Sequence, residues 1–427
     1  MSQSYSSSLW ANTAAPDIQA PALQSQDQAD VAIIGAGFTG CAAALALASR
    51  GTTVRVLESH SIGWGASGRT GGQVIPGLKY DPSVLESMFG PDLGPRLVAA
   101  AGSVGDEVFG LIKQHDISCD AQRKGWLQPA FSGPSLELAL RRCEQWQQRG
   151  APVTAVSKER MAQLLGTDHY LGGWEDLRAG HVQPLSYTRG LAAAAQKAGA
   201  VFHTDSPAVS LTRQGLKWRV STPRGSITAD QVLIATNGYT DKLWPGLART
   251  VVPMISFQAA TVPIPAALGK SILAQGHAAS DTRRLLWYFR RDAHGRLIMG
   301  GRAPYREDLG PADAGYVRNA VNTLYPQLAS TPFEFHWFGR VAMTQDHVPH
   351  LHRLDNGLWA ALGYNGRGVG MATLLGRYLA DLAIGVAPGE IPFPVTSMQP
   401  IFGYPFTRMA ARVLTTYYRV RDQLETA

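Results

Sequence analysis

The sequence predicts an α/β protein, α+β overall, in which a Rossmann-like dinucleotide-binding domain is interleaved with an antiparallel-sheet domain for the substrate. Three observations predict it. A strand, a glycine-rich turn, a helix and a second strand follow one another between Asp30 and Glu58. Two further strand-to-turn sites, around Ala235-Thr236-Asn237-Gly238 and Gly363-Tyr364-Asn365-Gly366, come much later in the chain. Between those two, residues 241–340 alternate apolar and polar positions in short runs, as strands with one buried face do.

The first element is the apolar run Val31-Ala32-Ile33-Ile34, whose length and β-branched content suit a buried parallel strand. Gly35, Gly37 and Gly40 then form G-x-G-x-x-G, with Phe38 and Thr39 inside it. The first glycine allows a tight turn, the second lets the backbone approach a pyrophosphate, and the third lets helix and strand pack closely. The pyrophosphate would rest on the helix N-terminus, where free N–H groups and the dipole favour an anion. The helix, rich in Ala and Leu from Cys41 to Ser49, is stopped by Gly51. The second strand, Thr53 to Leu57, ends at Glu58, 18 residues after Gly40. There a carboxylate can accept both ribose hydroxyls and would repel a 2′-phosphate, which argues against NADP. These motifs leave NAD and FAD both open.

After Glu58 and Ser59 comes a second glycine-rich stretch, Ser61 to Gln73, which cannot be a stable helix or strand. Trp64, Arg69 and Gln73 are poor linker residues, so a loop approaching the same nucleotide is expected. Residues 81–165 turn helical, with one strand near Gly125-Trp126-Leu127, and form an insertion. A helix from Pro184 to Gly199 precedes three short strands: Val201 to His203, Leu216 to Val220, and Gln231 to Ala235. Leu358 to Leu362 returns as a buried strand before the last glycine turn and a helix from Met371 to Ile384. The expected division is an arm over 1–28 that is poorly ordered, with Tyr5 and Trp10 pinning part of it. The nucleotide domain takes 29–80, 166–240 and 341–390, the second domain 81–165 and 241–340, and a helical extension 391–427.

Length and composition fit this plan. A chain of 427 residues can bury a sizeable core in two intertwined domains, and 45% hydrophobic with 17% charged content is that of a globular protein. The net charge of +7 is spread, with no basic run that would suggest a nucleic-acid stripe. Cys41, Cys119 and Cys143 stand apart, without C-x-x-C or metal spacing, which fits a reducing compartment. No signal-peptide pattern is evident and the longest apolar run is too short to span a bilayer, so a cytoplasmic location is expected.

Four segments carry a resemblance to a known family: IIGAGFTG with Glu58, GWGASGRTGGQ, LIATNGYT and GYNGRGVGMAT. Together with the start SYSSSLWANTA they resemble the FAD-dependent amine and amino-acid oxidoreductases of the D-amino-acid oxidase superfamily, nearest to the γ-glutamylputrescine oxidase type. The resemblance decides for FAD and implies a glutathione-reductase-type FAD domain. It also implies roles. Glu58 and Ser59 would hold the adenosine ribose, and the Gly35 to Gly40 turn the pyrophosphate. Gly65, Ala66, Ser67, Gly68, Arg69, Gly71, Gly72 and Gln73 would line the ribityl chain and isoalloxazine. Val209, Ala235, Asn237 and Gly238 would complete the nucleotide side. Gly363, Tyr364, Asn365, Gly366 and Gly368 would face the flavin's N1–C2=O edge at a helix N-terminus. Relatives with covalent flavin use a Cys or His where this chain has Gly339 and Gly65, so non-covalent FAD is expected. Relatives acting on α-amino acids carry an arginine where this chain has Val341, which favours an amine whose reacting carbon bears no carboxylate.

The expected reaction removes a hydride from the carbon beside an amine nitrogen to the flavin, and water then hydrolyses the imine to an aldehyde. The candidate substrate-side residues are Trp64, Tyr288, His347, Tyr364, Asn365 and Arg367, with Arg302 and Arg340 for a distal carboxylate. Packing is the competing reading for Trp64 and Tyr288, and a structural histidine for His347. The expected partners are a small amine and dioxygen or another electron acceptor, with no nucleic acid and no membrane span. No lysine follows Lys270, so an oxygen-activating lysine near the flavin has no counterpart. The rival readings are an amino-acid or N-methyl-amino-acid dehydrogenase on the same fold, a non-catalytic flavoprotein subunit, and an NAD-dependent dehydrogenase.

Overall fold

The computed structural model describes residues 5, 7–304, 306 and 308–425. Residues 1–4 and 6 of the expected arm, and 426–427 of the expected extension, lie outside them. The chain builds two large sheets. The first has nine strands around a parallel centre, in the order Leu358–Leu362, Ser226–Ile234, Gln26–Ile34, Val54–Leu57, Val201–His203. Ile34 aligns with Leu57 on one side and Ile234 on the other, so the β-branched residues of all three strands are buried in one layer. The central strands are covered on both faces, which is why they read as continuous apolar runs.

Helix Phe38–Ala48 is buried almost all round, with only Ala46 partly exposed. It lies between helices Pro184–Lys197 and Gly368–Ala383. Small residues make this possible. A Cβ at Gly376 would overlap the carbonyl of Thr39 and stand 3.0 Å from Ala42 Cβ. The two long helices therefore approach backbone to backbone, and both begin at the same edge of the sheet.

The second sheet has eight strands, in the order Phe333–Met343, Val252–Pro263, Arg296–Ala303, Tyr288–Arg291, Ala278–Ser280, Trp126–Pro129, Gly173–Asp176, Val153–Val156. Its pairs are antiparallel except Ala278–Ser280 with Trp126–Pro129. One face carries Phe257, Phe289, Met299 and Phe338 against helix Gly315–Leu324. The other face looks toward the glycine-rich loop that follows Glu58.

The structure departs from the expectations in several places. Gly173–Asp176 joins the eight-stranded sheet, although it falls in a segment expected beside the parallel one. It reads as loop because it begins with Gly172 and Gly173, both at positive φ, where a Cβ on Gly173 would overlap the carbonyl of Gln128. Strand Ser210–Gln214 was not expected at all, since its side chains are exposed or half-buried and give no apolar signal. The arm is folded rather than poorly ordered. Ser8 caps helix Leu9–Thr13, and Leu9 and Trp10 are fully buried against Leu185, Ile298 and Trp337. Trp10 pins the arm as expected, and Leu9 is a second anchor that the polar composition concealed. The C-terminal segment carries helix Thr407–Leu424, held by Arg284, which meets Asp422 at 3.0 Å and Glu425 at 2.6 Å.

Candidate functional site

Three turns meet at the C-terminal ends of the parallel strands, the edge where open α/β sheets bind ligands. The first is Gly35 to Gly40. Gly35 has φ of 104° and lies against the carbonyl of Ala235, and a Cβ at Gly40 would overlap the Gly35 carbonyl. Only glycine closes this turn. Phe38 N–H donates to Ser67 Oγ at 3.0 Å, and a Cβ at Gly37 would stand 2.8 Å from the same oxygen. Glu58 stands at the tip of the second strand, nearly buried. Its carboxylate accepts from the backbone N–H of Ala36 at 2.8 Å and of His60 at 3.0 Å, and from the Ser59 hydroxyl. It is thereby aimed and held.

The second turn holds the third. Asn237, at φ of 42°, accepts the Gly363 N–H on its Oδ1 at 2.9 Å. In the third turn Asn365, at φ of 51°, accepts from Thr344 N–H at 2.9 Å and donates from Nδ2 to Gly363 O at 2.6 Å and Thr344 Oγ1 at 2.9 Å. Its amide is spent on shaping the loop. Tyr364 is core, 3% exposed, with its hydroxyl 2.6 Å from Thr39 Oγ1 and 3.2 Å from Ala361 O. Both side chains make their hydrogen bonds within the protein. They were singled out for their place in the motif, and the motif needs them for its shape. Gly366 and Gly368 differ: nothing lies within 4 Å of a Cβ at either, so open space stands over the start of helix Gly368–Ala383.

The glycine-rich loop connects this edge to the second sheet. A Cβ at Gly71 would meet the Tyr288 ring at 2.9 Å, one at Gly65 the Tyr239 ring at 3.4 Å, and one at Gly68 the Tyr5 ring at 3.1 Å. Gly72 has φ of 73° against Val182. Ala66 to Gly68 form a 3₁₀ turn. Gln73 donates to Ala279 O at 3.0 Å and accepts the Ser280 hydroxyl at 2.7 Å, pinning the loop to the sheet. Arg69 is buried. Its guanidinium carbon lies 4.3 Å from the Trp64 ring and 5.0 Å from the Tyr5 ring, and its carbonyl accepts from Gln258 Nε2 and Trp337 Nε1. Trp64 is stacked between this guanidinium and the His60 ring, 3.8 Å away at 6°. These contacts are the packing that competed with a substrate role for Trp64. The Val209 side chain is 58% exposed and lines an outer groove with Leu211 and Trp244.

On the sheet face opposite Gly71, the Tyr288 hydroxyl lies 2.6 Å from Ser256 Oγ and its ring crosses Gly300, where a Cβ would collide with it. Burial raises the Tyr288 pKa, so the phenol stays protonated. Register places Gly339 opposite Ser256 and Val341 opposite Met254 on this same face. A Cβ at Gly339 would stand 2.8 Å from Arg69 Cβ, so no larger side chain fits there. Arg367 caps the last turn, donates to Pro76 O at 3.0 Å and lies 5.4 Å over Trp126; burial pushes its pKa down to about 10. Arg340 faces the Tyr239 ring at 5.2 Å. His347, at φ of 55°, meets Tyr80 edge-on and leaves Nδ1 without a partner; burial and then Lys79 lower its pKa.

Sequence reasoning missed Ser256, Gln258 and Arg290. Arg290 is buried, donates to Gly71 O and Val182 O at 2.8 Å each, and so holds the loop from the sheet side. No local pattern marks these residues, because folding brings them together from three separate stretches.

The pieces fit FAD: two helix N-termini for the pyrophosphate and flavin edge, an aimed carboxylate for the ribose, and glycines without Cβ atoms where a planar ring would pass. Comparison with known proteins agrees. The model of the DAO family, FAD dependent oxidoreductase, matches residues 30–382. The gamma-glutamylputrescine oxidoreductase of Escherichia coli is 32% identical over 92% of this chain and 93% of its own. The probable oxidoreductase OrdL of Haemophilus influenzae is 31% identical over 95% of each chain. Among solved structures, glycine oxidase from Geobacillus kaustophilus superposes with a TM-score of 0.71 over 84% of this chain and 95% of its own, at 21% identity. The chain belongs to the DAO family of FAD-dependent oxidoreductases.

Proposed function

We propose that the protein oxidises the C–N bond of a small amine, γ-glutamylputrescine-like or another primary amine, to an imine that water hydrolyses to an aldehyde. The observation that carries this reading is the sheet face across from the glycine-rich loop. It offers Tyr288 and Ser256 hydroxyls, the bare backbone of Gly300 and Gly339, and an apolar Val341 where the family's α-amino-acid enzymes are expected to place a carboxylate clamp. The relationship to gamma-glutamylputrescine oxidoreductase supports the same substrate class.

FAD, when bound, supplies the two-electron acceptor for the reacting C–H bond. The chain's own residues do the rest. Gly35 to Gly40 and Glu58 would hold the adenosine diphosphate, and Gly65 to Gly72 with Gly363 to Gly368 the flavin ring. Tyr288 stays neutral and shares its proton with Ser256, and its ring can receive an alkylammonium face-on. Buried aromatic and glycine surfaces keep water from the reacting carbon. Glycine at 339 and 65 leaves no nucleophile for a flavin linkage, so the cofactor is held without a covalent bond. The electron acceptor is dioxygen or another oxidant. Among the described residues, no helix is long and apolar enough to cross a membrane.

The reading is tested by adding amines and amino acids to the yellow holoprotein without oxygen. Bleaching of the flavin bands by γ-glutamylated or simple primary amines is expected. Bleaching by α-amino acids alone would overturn the reading.

A further inference from the structure

The C-terminal helix Thr407–Leu424 rests on the body by one face and leaves the opposite face to solvent. Asp422 is its anchor. Nearly buried, it accepts from the backbone N–H of Arg284 at 3.2 Å and of Leu285 at 3.1 Å. Ala411, Thr415 and Tyr418 share that inner face, each half-buried. On the outer face stand Phe406, in the turn that opens the helix, then Ala410, Val413, Tyr417, Val420 and Leu424. Apart from the small alanine they expose 48% to 68% of their surface. None of the six belongs to a buried cluster among the described residues.

Their spacing is regular. Steps of four, three, four, three and four residues place them at alternating a and d positions of a heptad, a period of about 3.5 that keeps a narrow apolar seam in line along the helix. A seam of that width fits a facing helix, whereas a helix lying in a bilayer surface needs a broad apolar face rimmed by basic residues. Leu414, Thr416, Gln423 and Arg421 flank the seam. Arg421 is tied to Glu425 at 3.1 Å and to the Tyr417 hydroxyl at 3.0 Å. Arg412 and Arg419 lie farther round the helix, off the seam. Two copies can therefore meet here without opposing bare charges.

We propose that this seam pairs, antiparallel, with the same seam of a second copy of the chain, about a twofold axis between Val413 and Tyr417. Phe406 of one copy then meets Leu424 of the other, Ala410 meets Val420, and Val413 meets Tyr417. Parallel pairing would set Ala410 opposite Ala410 and Tyr417 opposite Tyr417, a gap beside a crowded layer. Every contact occurs twice, as an interface between identical faces requires. With Met409 and Leu414 beside it, the seam offers on the order of 800 Å² per copy, the size of a specific interface.

The holoprotein is sedimented over a range of concentrations, and a reversible dimer is expected. Val413→Glu should raise its dissociation constant by on the order of a hundredfold or more, as burial of an unpaired carboxylate implies, with an unchanged flavin spectrum reporting that the body is folded. Cysteines read the direction, since Cys41, Cys119 and Cys143 are all buried. A mixture of Val413→Cys and Tyr417→Cys chains should cross-link on oxidation, and neither chain alone. A wild type that stays monomeric at the highest attainable concentration, or a dimer that a Val413→Glu/Val420→Glu variant leaves intact, overturns the pairing. Cross-linking of Val413→Cys to itself overturns the antiparallel direction. A monomer that co-sediments with phosphatidylglycerol vesicles, and loses them in Val413→Glu, also overturns the pairing and gives the face to a membrane surface.

Discussion

The hydroxyl of Tyr364 lies 2.6 Å from the hydroxyl of Thr39, and this buried contact ties together two glycine turns that are 325 residues apart in sequence. Thr39 sits in the first turn of helix Phe38–Ala48, and Tyr364 immediately precedes the helix Gly368–Ala383 turn. The two helix N-termini expected to grip one cofactor are therefore fastened directly to each other.

Tyr364→Phe tests that fastening. It leaves the Thr39 hydroxyl with one partner fewer in a buried site, so a stability loss of about 1 kcal/mol is expected. A double-mutant cycle with Thr39→Ala, followed by urea denaturation of the holoprotein, should show the two changes to be non-additive. Strict additivity would mean that the contact contributes nothing.

Gly40→Ala and Gly368→Ala separate fold from ligand. At Gly40 the new Cβ overlaps the Gly35 carbonyl, so the variant should lose both stability and flavin. At Gly368 the new methyl enters open space, so the apoprotein should keep its melting temperature while FAD affinity falls. Calorimetric melting of the apoproteins beside FAD titration reads both quantities. An unchanged FAD affinity in Gly368→Ala would place the cofactor elsewhere.

Denaturation should release the flavin of the wild type into solution. Gly339→Cys should release it too, because the new side chain meets Arg69 at 2.8 Å and must displace the loop before it could reach a ring. A flavin band that stays with the denatured protein on a gel would contradict this.

Acid should destabilise the protein through His352. Burial, and then the neighbouring His350, push its pKa down to about 4 from an ordinary 6.5. The unfolded chain therefore takes up a proton below pH 6.5 that the native state refuses. Stability is full above pH 6.5 and is lost as the pH falls toward 4, by up to about 3 kcal/mol from this one group. His352→Gln should flatten the urea midpoint between pH 7 and 4.5 relative to wild type, and an unchanged slope would assign the acid sensitivity to other groups.

What could be read from the sequence was whatever close approach imposes on residue type. Gly35, Gly40, Gly363 and Gly71 are glycine because a carbonyl, the Thr344 methyl or a ring occupies the place of a side chain, so their spacing announced the turns. The aromatic and amide residues inside the same motifs have partners that the motifs do not announce: Trp64 is stacked on His60, Tyr364 is buried against Thr39, and Asn365 is hydrogen-bonded within its loop. Ser256, Gln258 and Arg290 left no local trace, because contacts between the glycine-rich loop and distant strands exist only after folding. In the arm Trp10 was legible as an anchor, whereas Leu9 gains its meaning only against its partners in the folded chain, Leu185, Ile298 and Trp337 among them.

That arm also bears on the order in which the molecule can be completed. Trp10 is made early in synthesis, yet the surfaces it seals, Arg290 at 4.8 Å from its ring and Trp337 at 5.5 Å, emerge some hundreds of residues later. Its indole N–H reaches Thr70 O at 2.8 Å, beside the loop expected to carry the flavin. The segment must remain undocked until the late strands have formed, and its closure is then a final latch over the finished cofactor loop. A bulky fusion placed just before Tyr5 would hold that latch open, leaving a chain with both sheets intact and a loosened grip on its flavin.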